Sequence, residues 1–474
     1  MLAAELRRPR GQRMLYLFAR SCPEFDPLRS DPRLEALLRE TLPAGMKPPA
    51  ASAEQPAGAR VDDKSVAVLA FANLSDDKAN EYFSDGISEE LLNVLAKVPK
   101  LKVAARTSSF YFKGRNEPIP DIAQKLGVAY VVEGSVRKAG NKVRITAQLI
   151  KAADGFHVWS ETYDRDLTDI FAVQDEIAKN ILGVVKGNLL GEAELPHTVT
   201  TKPEAYALFL QAQGQLAMRG EATMPEARRL FQAALAIDPD YVPALIGLAR
   251  TDFLLPSYVT LVGAKARLVS DEARQAAQHA LELDPRNAGA LAVHGSVLAM
   301  SEWRWAEGEA ELLQARELAP NDPWVANLTG DYFIFTGNAP AALAAKRKWQ
   351  ELDPVSAVAH WDLGFANIVA RDYDQAILWG ERAKKMAPTN LSPCVVIALA
   401  AGRAGRFDLM RQTLATARRD VREAPGDRLL LEAYGAILEK RTDEAHRIMA
   451  QVTPLVEKGQ VAPAFFGYCH LLLG

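Results

Sequence analysis

The most restrictive feature of the sequence is a helix stop that recurs in its second half. Short motifs ending in proline lie at Pro239, Pro285, Pro320, Pro354 and Pro388, and the last three spacings are 35, 34 and 34 residues. Because proline lacks a backbone N–H and clashes inside a helix, each motif marks a helix end. A period of this length indicates small helical units that bury their apolar faces by stacking on their neighbours.

The most regular unit runs from residue 357 to 390. Leu363 and Gly364 fall where its first helix needs a close contact, and Ala376 and Ala383 fall at unit positions 20 and 27. Small residues at these positions let helices approach closely. The pattern is that of the tetratricopeptide repeat, a unit of two helices. We therefore predict an all-α solenoid of about six or seven repeats over residues 202–474.

The array departs from the pattern in two places. The 46-residue gap between Pro239 and Pro285 predicts an insertion near residues 256–264, between the two helices of that unit. Units that start near Leu391 and Arg428 are degenerate, and residues 462–474 are expected to form a capping helix.

Strands and helices alternate before the repeats. Residues 65–71 predict a strand buried on both faces, and residues 85–97 predict an amphipathic helix. A turn at residues 139–141 separates two alternating segments, which predicts a hairpin. One face of its second strand carries the apolar residues Val143, Ile145, Ala147 and Leu149. The predicted fold class is an α/β domain at residues 65–190, followed by the all-α solenoid.

Two short segments precede the α/β domain. Residues 1–43 predict a short helical segment, and the Ala/Pro-rich residues 44–64 predict a linker.

Six segments of the α/β region resemble the TolB amino-terminal-like (FlgO-like) domain. They lie at residues 65–69, 82–91, 106–110, 130–137, 144–149 and 159–163. The resemblance covers residues 65–190. It implies a sensory or scaffolding role without a known active site, since this bacterial domain commonly stands upstream of tetratricopeptide repeats and downstream of class III cyclase, winged-helix or protein-kinase modules.

Charge and composition limit the kinds of partner that the chain can bind. The net charge of −3 and the pI of about 6.2 provide no global positive field, which disfavours direct binding of nucleic acid. The three cysteines, Cys22, Cys394 and Cys469, are too far apart for a local metal or redox motif. We expect no membrane span, because no run of 18 apolar residues occurs, and we expect a cytoplasmic location.

The sequence lacks the common motifs for phosphate binding and metal binding. Neither GxxxxGK[ST] nor GxGxxG occurs, and the seven histidines show no paired metal-ligand spacing. The sequence therefore predicts a chain that is not an enzyme and needs no cofactor or metal.

Two groups of residues are candidates for binding. Arg106, Thr107, Ser108, Ser109 and Lys113 follow a predicted strand and could hold an anion, although the hydroxyls could instead satisfy the local backbone.

Tyr332, His360 and Asn367 are the candidates for partner binding. They lie on first helices of repeats, where polar or aromatic side chains are not demanded by core packing.

Three functions fit this pattern. The first is a non-catalytic bacterial adaptor or sensory protein that binds a protein or peptide in the groove of the repeats. The second is the effector-sensing region of a transcription regulator or class III nucleotide cyclase whose output domain is separate. A small-molecule hydrolase would require a cleft in the α/β domain where titratable residues converge.

Overall fold

A computed structural model of the chain describes residues 63–75, 80–96, 98, 101–166, 170–186, 202–220, 222–257, 264–421, 425–457, 461, 469–470 and 473. The predicted helical segment at residues 1–43, the linker before Asp63 and most of the predicted capping helix lie outside this part of the chain.

The first part of the chain forms an α/β domain around one sheet. Its strands are β1 (Ser65–Val68), β2 (Ala72–Asn73), β3 (Lys102–Val103), β4 (Tyr130–Ala139), β5 (Lys142–Lys151) and β6 (His157–Asp166). Its helices are α1 (Glu81–Ala96), α2 (Arg106–Phe110), α3 (Ile119–Leu126) and α4 (Ile170–Lys186). The strand order is β3-β1-β4-β5-β6, with β2 paired to β4. β1 lies inside the sheet, between β3 and β4, and is parallel to both of these neighbours, as expected for a strand that is buried throughout.

The predicted hairpin is confirmed. β4 and β5 pair in antiparallel register, and Val132 lies opposite Leu149. All four residues predicted on the apolar face of β5 are buried, because a period of two places them on the face that packs against α4, in a core cluster that also contains residues of α1. Gly127 ends α3 with a φ of 64°, which is the left-handed conformation that glycine adopts without steric cost.

Helix α1 begins at Glu81, earlier than the predicted residue 85. Gly86 therefore lies inside the helix, where it provides space for a neighbouring helix. A Cβ at this position would lie 2.4 Å from Leu210 Cδ2, so the glycine permits close packing between the α/β domain and the first repeat.

Seven pairs of helices follow between Pro203 and Glu457. The first helix of each pair, called helix A below, is α5 (Pro203–Met218), α7 (Val242–Leu254), α9 (Ala288–Ser296), α11 (Pro323–Thr336), α13 (Ala357–Val369), α15 (Leu391–Arg403) or α17 (Pro425–Leu438). The second, called helix B, is α6 (Thr223–Ile237), α8 (Ala264–Leu283), α10 (Trp305–Leu318), α12 (Ala339–Leu352), α14 (Tyr373–Met386), α16 (Phe407–Asp420) or α18 (Thr442–Glu457). The predicted insertion follows α7, where a 3₁₀ turn at Leu255–Ser257 extends the chain before α8.

The turn between helices A and B repeatedly uses the left-handed backbone conformation. The residues that adopt it are Arg219, Trp303, Gly337, Arg371, Gly405 and Lys440. Four of these six carry side chains, although only glycine takes this conformation at no cost. The geometry of the turn therefore requires the left-handed conformation, whether or not the residue at that position is glycine.

The α/β domain and the first repeats share one apolar core. Ile87 and Leu91 of α1 belong to the same cluster of buried residues as Phe209 of α5 and Phe231 of α6. Their full burial removes apolar surface from water at the junction, which is the main stabilising contribution to packing of this kind. The junction is thus built like the inside of a domain.

Candidate functional site

The α/β domain also contacts the turns that connect later repeats. The backbone N–H of Ala105 donates to the carbonyl oxygen of Leu352 at 2.7 Å. The side-chain amide of Asn321 donates to the carbonyl oxygen of Leu101 at 3.2 Å. The β3–α2 edge of the sheet therefore lies against the turns before α11 and α13, and the space between the two parts of the chain is the candidate functional site.

The segment predicted to hold an anion lies at this junction as helix α2 and the turn after it. Arg106 forms an ion pair with Glu89 at 2.7 Å, and Lys113 forms ion pairs with Glu81 and Asp85 at 2.5 and 2.6 Å. Both cations are thus neutralised by carboxylates of α1. Anion binding here stays a prediction, and an incoming anion would have to compete with these carboxylates.

Two hydroxyls of the same segment have different environments. Ser108 Oγ donates to Asp353 Oδ1 at 2.6 Å and accepts from the backbone N–H of Val355 at 3.0 Å. Ser109 Oγ is equally buried and has no hydrogen-bond partner among the described residues, whereas Thr107 is exposed. Burial raises the pKa of the Asp353 carboxyl, and the hydrogen bond from Ser108 opposes that change. Ser108 consequently links the α/β domain to the repeat array.

The residues predicted to bind a partner are buried. Asn367 Nδ2 donates to the carbonyl oxygen of Leu363 at 2.8 Å, His360 Nδ1 lies 2.8 Å from the carbonyl oxygen of Ser356, and Tyr332 packs against aromatic neighbours. Burial lowers the pKa of His360. The premise that core packing does not demand these side chains is wrong.

The reason lies in the helical period. His360, Leu363, Gly364 and Asn367 follow the i, i+3, i+4, i+7 pattern, so they share one face of α13. Leu363 is fully buried and Gly364 abuts Val396 of the next repeat, so the whole face is turned toward neighbouring helices. A partner role for these residues remains a prediction, but their side chains are not exposed in this structure.

The more accessible side chains of the same helix were not among the residues predicted to bind a partner. Trp361 and Phe365 of α13 are half-buried, and they lie one helical turn apart on a different face from His360. Val395 on the next helix A is half-buried as well. All three side chains pack against the apolar core of the later repeats, which includes Val396 and Tyr434. Counted from Ala357, Trp361 and Phe365 are the fifth and ninth residues of the repeat unit, and this spacing of one helical turn could have identified them.

A buried ammonium group lies beneath the helix-A face. Lys346 Nζ donates to Asn327 Oδ1 at 2.6 Å, to Asp331 Oδ1 at 2.6 Å and to Asp362 Oδ2 at 2.9 Å. A Cβ at Gly330 would lie 2.8 Å from the side chain of Lys346, so this glycine makes room for it. Burial lowers the pKa of Lys346, but the two carboxylates outweigh burial and raise it. Lysine thus stays charged where an apolar residue is usual in such repeats.

A cleft of about 430 Å³ opens between α1 and the first repeat. Asp85, Glu89 and Arg106 line it from the α/β domain, and Gln211 and Glu226 line it from α5 and α6. The charged groups that line the cleft are mostly paired within the chain; Glu89, for example, accepts hydrogen bonds from Arg106 and Gln213. The cleft joins the two parts of the chain without presenting an evident set of catalytic groups.

The fold and the junction define a class of protein, namely an α/β domain followed by a helical solenoid of the tetratricopeptide type. Within the described residues, no helix is long and apolar enough to cross a membrane. Likewise, no group of three or more His, Cys, Asp or Glu side chains is arranged to hold a metal ion in that part of the chain.

Comparison with known proteins places the chain beside one curated relative. No family model matches the chain, so the resemblance to the TolB amino-terminal-like domain stays a prediction. Over 195 residues the chain is 43% identical to a protein of Rhizobium meliloti (strain 1021) that is named adenylate cyclase 3. This match covers 40% of the chain and 33% of the relative, so it spans only about a third of the relative's length.

Solved structures similar to the chain include tetratricopeptide-repeat proteins. A thermophilic TPR protein from Thermus thermophilus has a TM-score of 0.35 at 18% identity, over 41% of this chain and 98% of that one. A tetratricopeptide repeat protein from Parabacteroides merdae has a TM-score of 0.40 at 12% identity, over 57% and 99%.

Proposed function

We propose that this chain is a non-catalytic adaptor or sensory protein whose repeat array captures a protein or peptide partner along helix A. The observation that carries the proposal is the half-buried pair Trp361 and Phe365, on a helix whose other face is used for packing. Aromatic side chains that are partly exposed on a rigid scaffold are favoured as anchors for partners, because their large surface is buried at little cost in conformational entropy.

The test is affinity capture with the full chain, followed by mass spectrometry. The double variant Trp361→Ala, Phe365→Ala is compared with wild type and with Leu378→Ala, which removes an exposed apolar side chain from helix B of the same repeat. We expect a partner that wild type and Leu378→Ala retain and the double variant loses. Identical sets of captured proteins for all three chains would contradict the proposal.

A second candidate is the sensory region of a nucleotide cyclase. It is favoured by the 43% identity to the protein named as an adenylate cyclase. On this hypothesis the chain regulates a catalytic domain and does not itself convert ATP. Adding the purified chain to the Rhizobium meliloti relative should then change the rate at which that protein forms cyclic AMP, and an unchanged rate at saturating chain would contradict this candidate.

A further inference from the structure

Three side chains from separate repeats converge at the junction. Arg250 lies on α7, Arg219 follows the end of α5, and Trp324 lies in the first turn of α11. The guanidinium carbon of Arg250 is 5.2 Å from the centroid of the Trp324 ring, and that of Arg219 is 5.9 Å from it. These distances correspond to cation–π contacts, so both cations lie beside one indole ring.

The path of Arg250 depends on a glycine in the repeat between. A Cβ at Gly289 of α9 would lie 3.1 Å from Arg250 Nη2. The arginine of the second repeat therefore passes over the third repeat, where no side chain stands, to reach the tryptophan of the fourth.

Within the described part of the chain, neither guanidinium group has a hydrogen-bond acceptor. Among the residues that the structure describes, Arg219 and Arg250 form no hydrogen bond or ion pair, and the buried Arg250 Nε and Trp324 Nε1 are left without partners. Arg228 in the first repeat is different, because it pairs with Asp252 and Glu272. A buried donor without an acceptor is strongly unfavourable, and native proteins seldom keep several together.

Nearby carboxylates are engaged elsewhere. Asp322 accepts from the backbone N–H groups of Trp324 and Val325 and so caps α11. Glu89 accepts from Arg106 and from Gln213. Burial lowers the pKa of Arg250 and the positive charge of Arg219 adds to this effect, while Asp322 and Glu89 act in the opposite direction. Arg219 also acts electrostatically on Asp331 and Asp353, but these carboxylates accept hydrogen bonds from Lys346 and Ser108. The cluster thus keeps N–H donors that no acceptor among the described residues satisfies.

We propose that Arg219, Arg250 and Trp324 form a binding site for the anionic group, phosphate or carboxylate, of a small-molecule ligand. The planar guanidinium presents several N–H donors that match the oxygens of these groups in pairs. The unpartnered indole N–H adds a further donor. The ligand would occupy the inner side of the junction and contact the first, second and fourth repeats together.

Calorimetric titration of the full chain tests the site. Inorganic phosphate and citrate are the two probes, each compared with sodium chloride at the same ionic strength. The variants are Arg250→Gln and Arg219→Gln, and the control is Arg371→Gln, which alters an arginine in the same left-handed turn position of a later repeat. We expect at least one probe to bind, and each cluster variant to weaken binding about tenfold or more, because a charge-assisted hydrogen bond is lost. The control should bind as wild type does.

The two probes distinguish a phosphate ligand from a carboxylate ligand. Binding of phosphate alone assigns a phosphate ligand, binding of citrate alone assigns a carboxylate ligand, and both support the site. Unpaired charge also predicts that Arg250→Gln without ligand unfolds at the same or a higher temperature than wild type. The proposal is overturned if neither probe binds beyond the chloride control, or if the affinities of both cluster variants equal that of wild type.

Discussion

The hydroxyl of Ser108 offers the sharpest test of how the α/β domain is held on the array. In Ser108→Ala the buried Asp353 carboxylate loses a donor and the Val355 N–H loses its acceptor. Leaving a buried polar group unsatisfied costs about 1–3 kcal/mol, so the two losses predict a destabilisation of about 2–6 kcal/mol. The matched control is Ser109→Ala, one residue further along α2. Its hydroxyl is equally buried but unpartnered, so its removal should leave stability unchanged or raise it.

Urea unfolding followed by tryptophan fluorescence and by circular dichroism measures both variants. If Ser108 links the two parts, Ser108→Ala should also separate the signals of the α/β domain and the array into two transitions. Equal midpoints for Ser108→Ala and Ser109→Ala would refute the reasoning, because the two hydroxyls would then contribute alike.

The effect should depend on pH with a definite sign. Because burial raises the pKa of Asp353, the folded state binds the proton more tightly than the unfolded state, and wild-type stability falls as pH rises from the ordinary aspartate value through the raised pKa. The Ser108 hydroxyl favours the ionised carboxylate. The cost of Ser108→Ala should therefore be largest at neutral pH and shrink as Asp353 becomes protonated in acid. A cost that grows toward acid would contradict this assignment.

Three further changes test the array. Gly364→Ala should cost about 1–3 kcal/mol, because the new Cβ would lie 2.6 Å from Val396 Cγ1, whereas Gly214→Ala meets no atom within 4 Å and should be neutral or stabilising in thermal unfolding. Lys346→Met should lower the melting temperature, since two carboxylates would face each other without their cation; an unchanged value would show that the buried charge adds nothing. Burial raises the pKa of Cys469 to about 12, so in a Cys22→Ser, Cys394→Ser variant its thiol should react with Ellman's reagent only after denaturant is added, and rapid reaction of that folded variant would show that the site opens.

Local patterns were sufficient for the secondary structure and the architecture. The alternation along β5 identified the buried face of a strand, and the recurrent prolines identified the repeat, because both depend on residues close together in the chain. Helix α1 was misplaced at its start because Gly86 resembles a helix boundary when its packing partner Leu210 is unknown.

The candidate sites were harder to predict, because they depend on contacts between distant residues. Ser108 and Asp353 are 245 positions apart in sequence, and no local signal connects them. Arg250 and Trp324 are 74 positions apart in sequence, and Gly289 of an intervening repeat leaves room for the arginine side chain between them. His360 and Asn367 were different, since their spacing from Leu363 already places all three on one helix face.

The shared core of α1 and α5 makes the α/β domain the first link in a chain of nearest-neighbour interfaces. In a linear array each unit is stabilised by the units beside it, so a terminal unit with one neighbour opens most readily. Here the amino-terminal repeat has neighbours on both sides, because the α/β domain covers its outer end. Amide protons in α5 and α6 should consequently exchange as slowly as those in α7 and α8, whereas an uncovered first repeat would exchange faster.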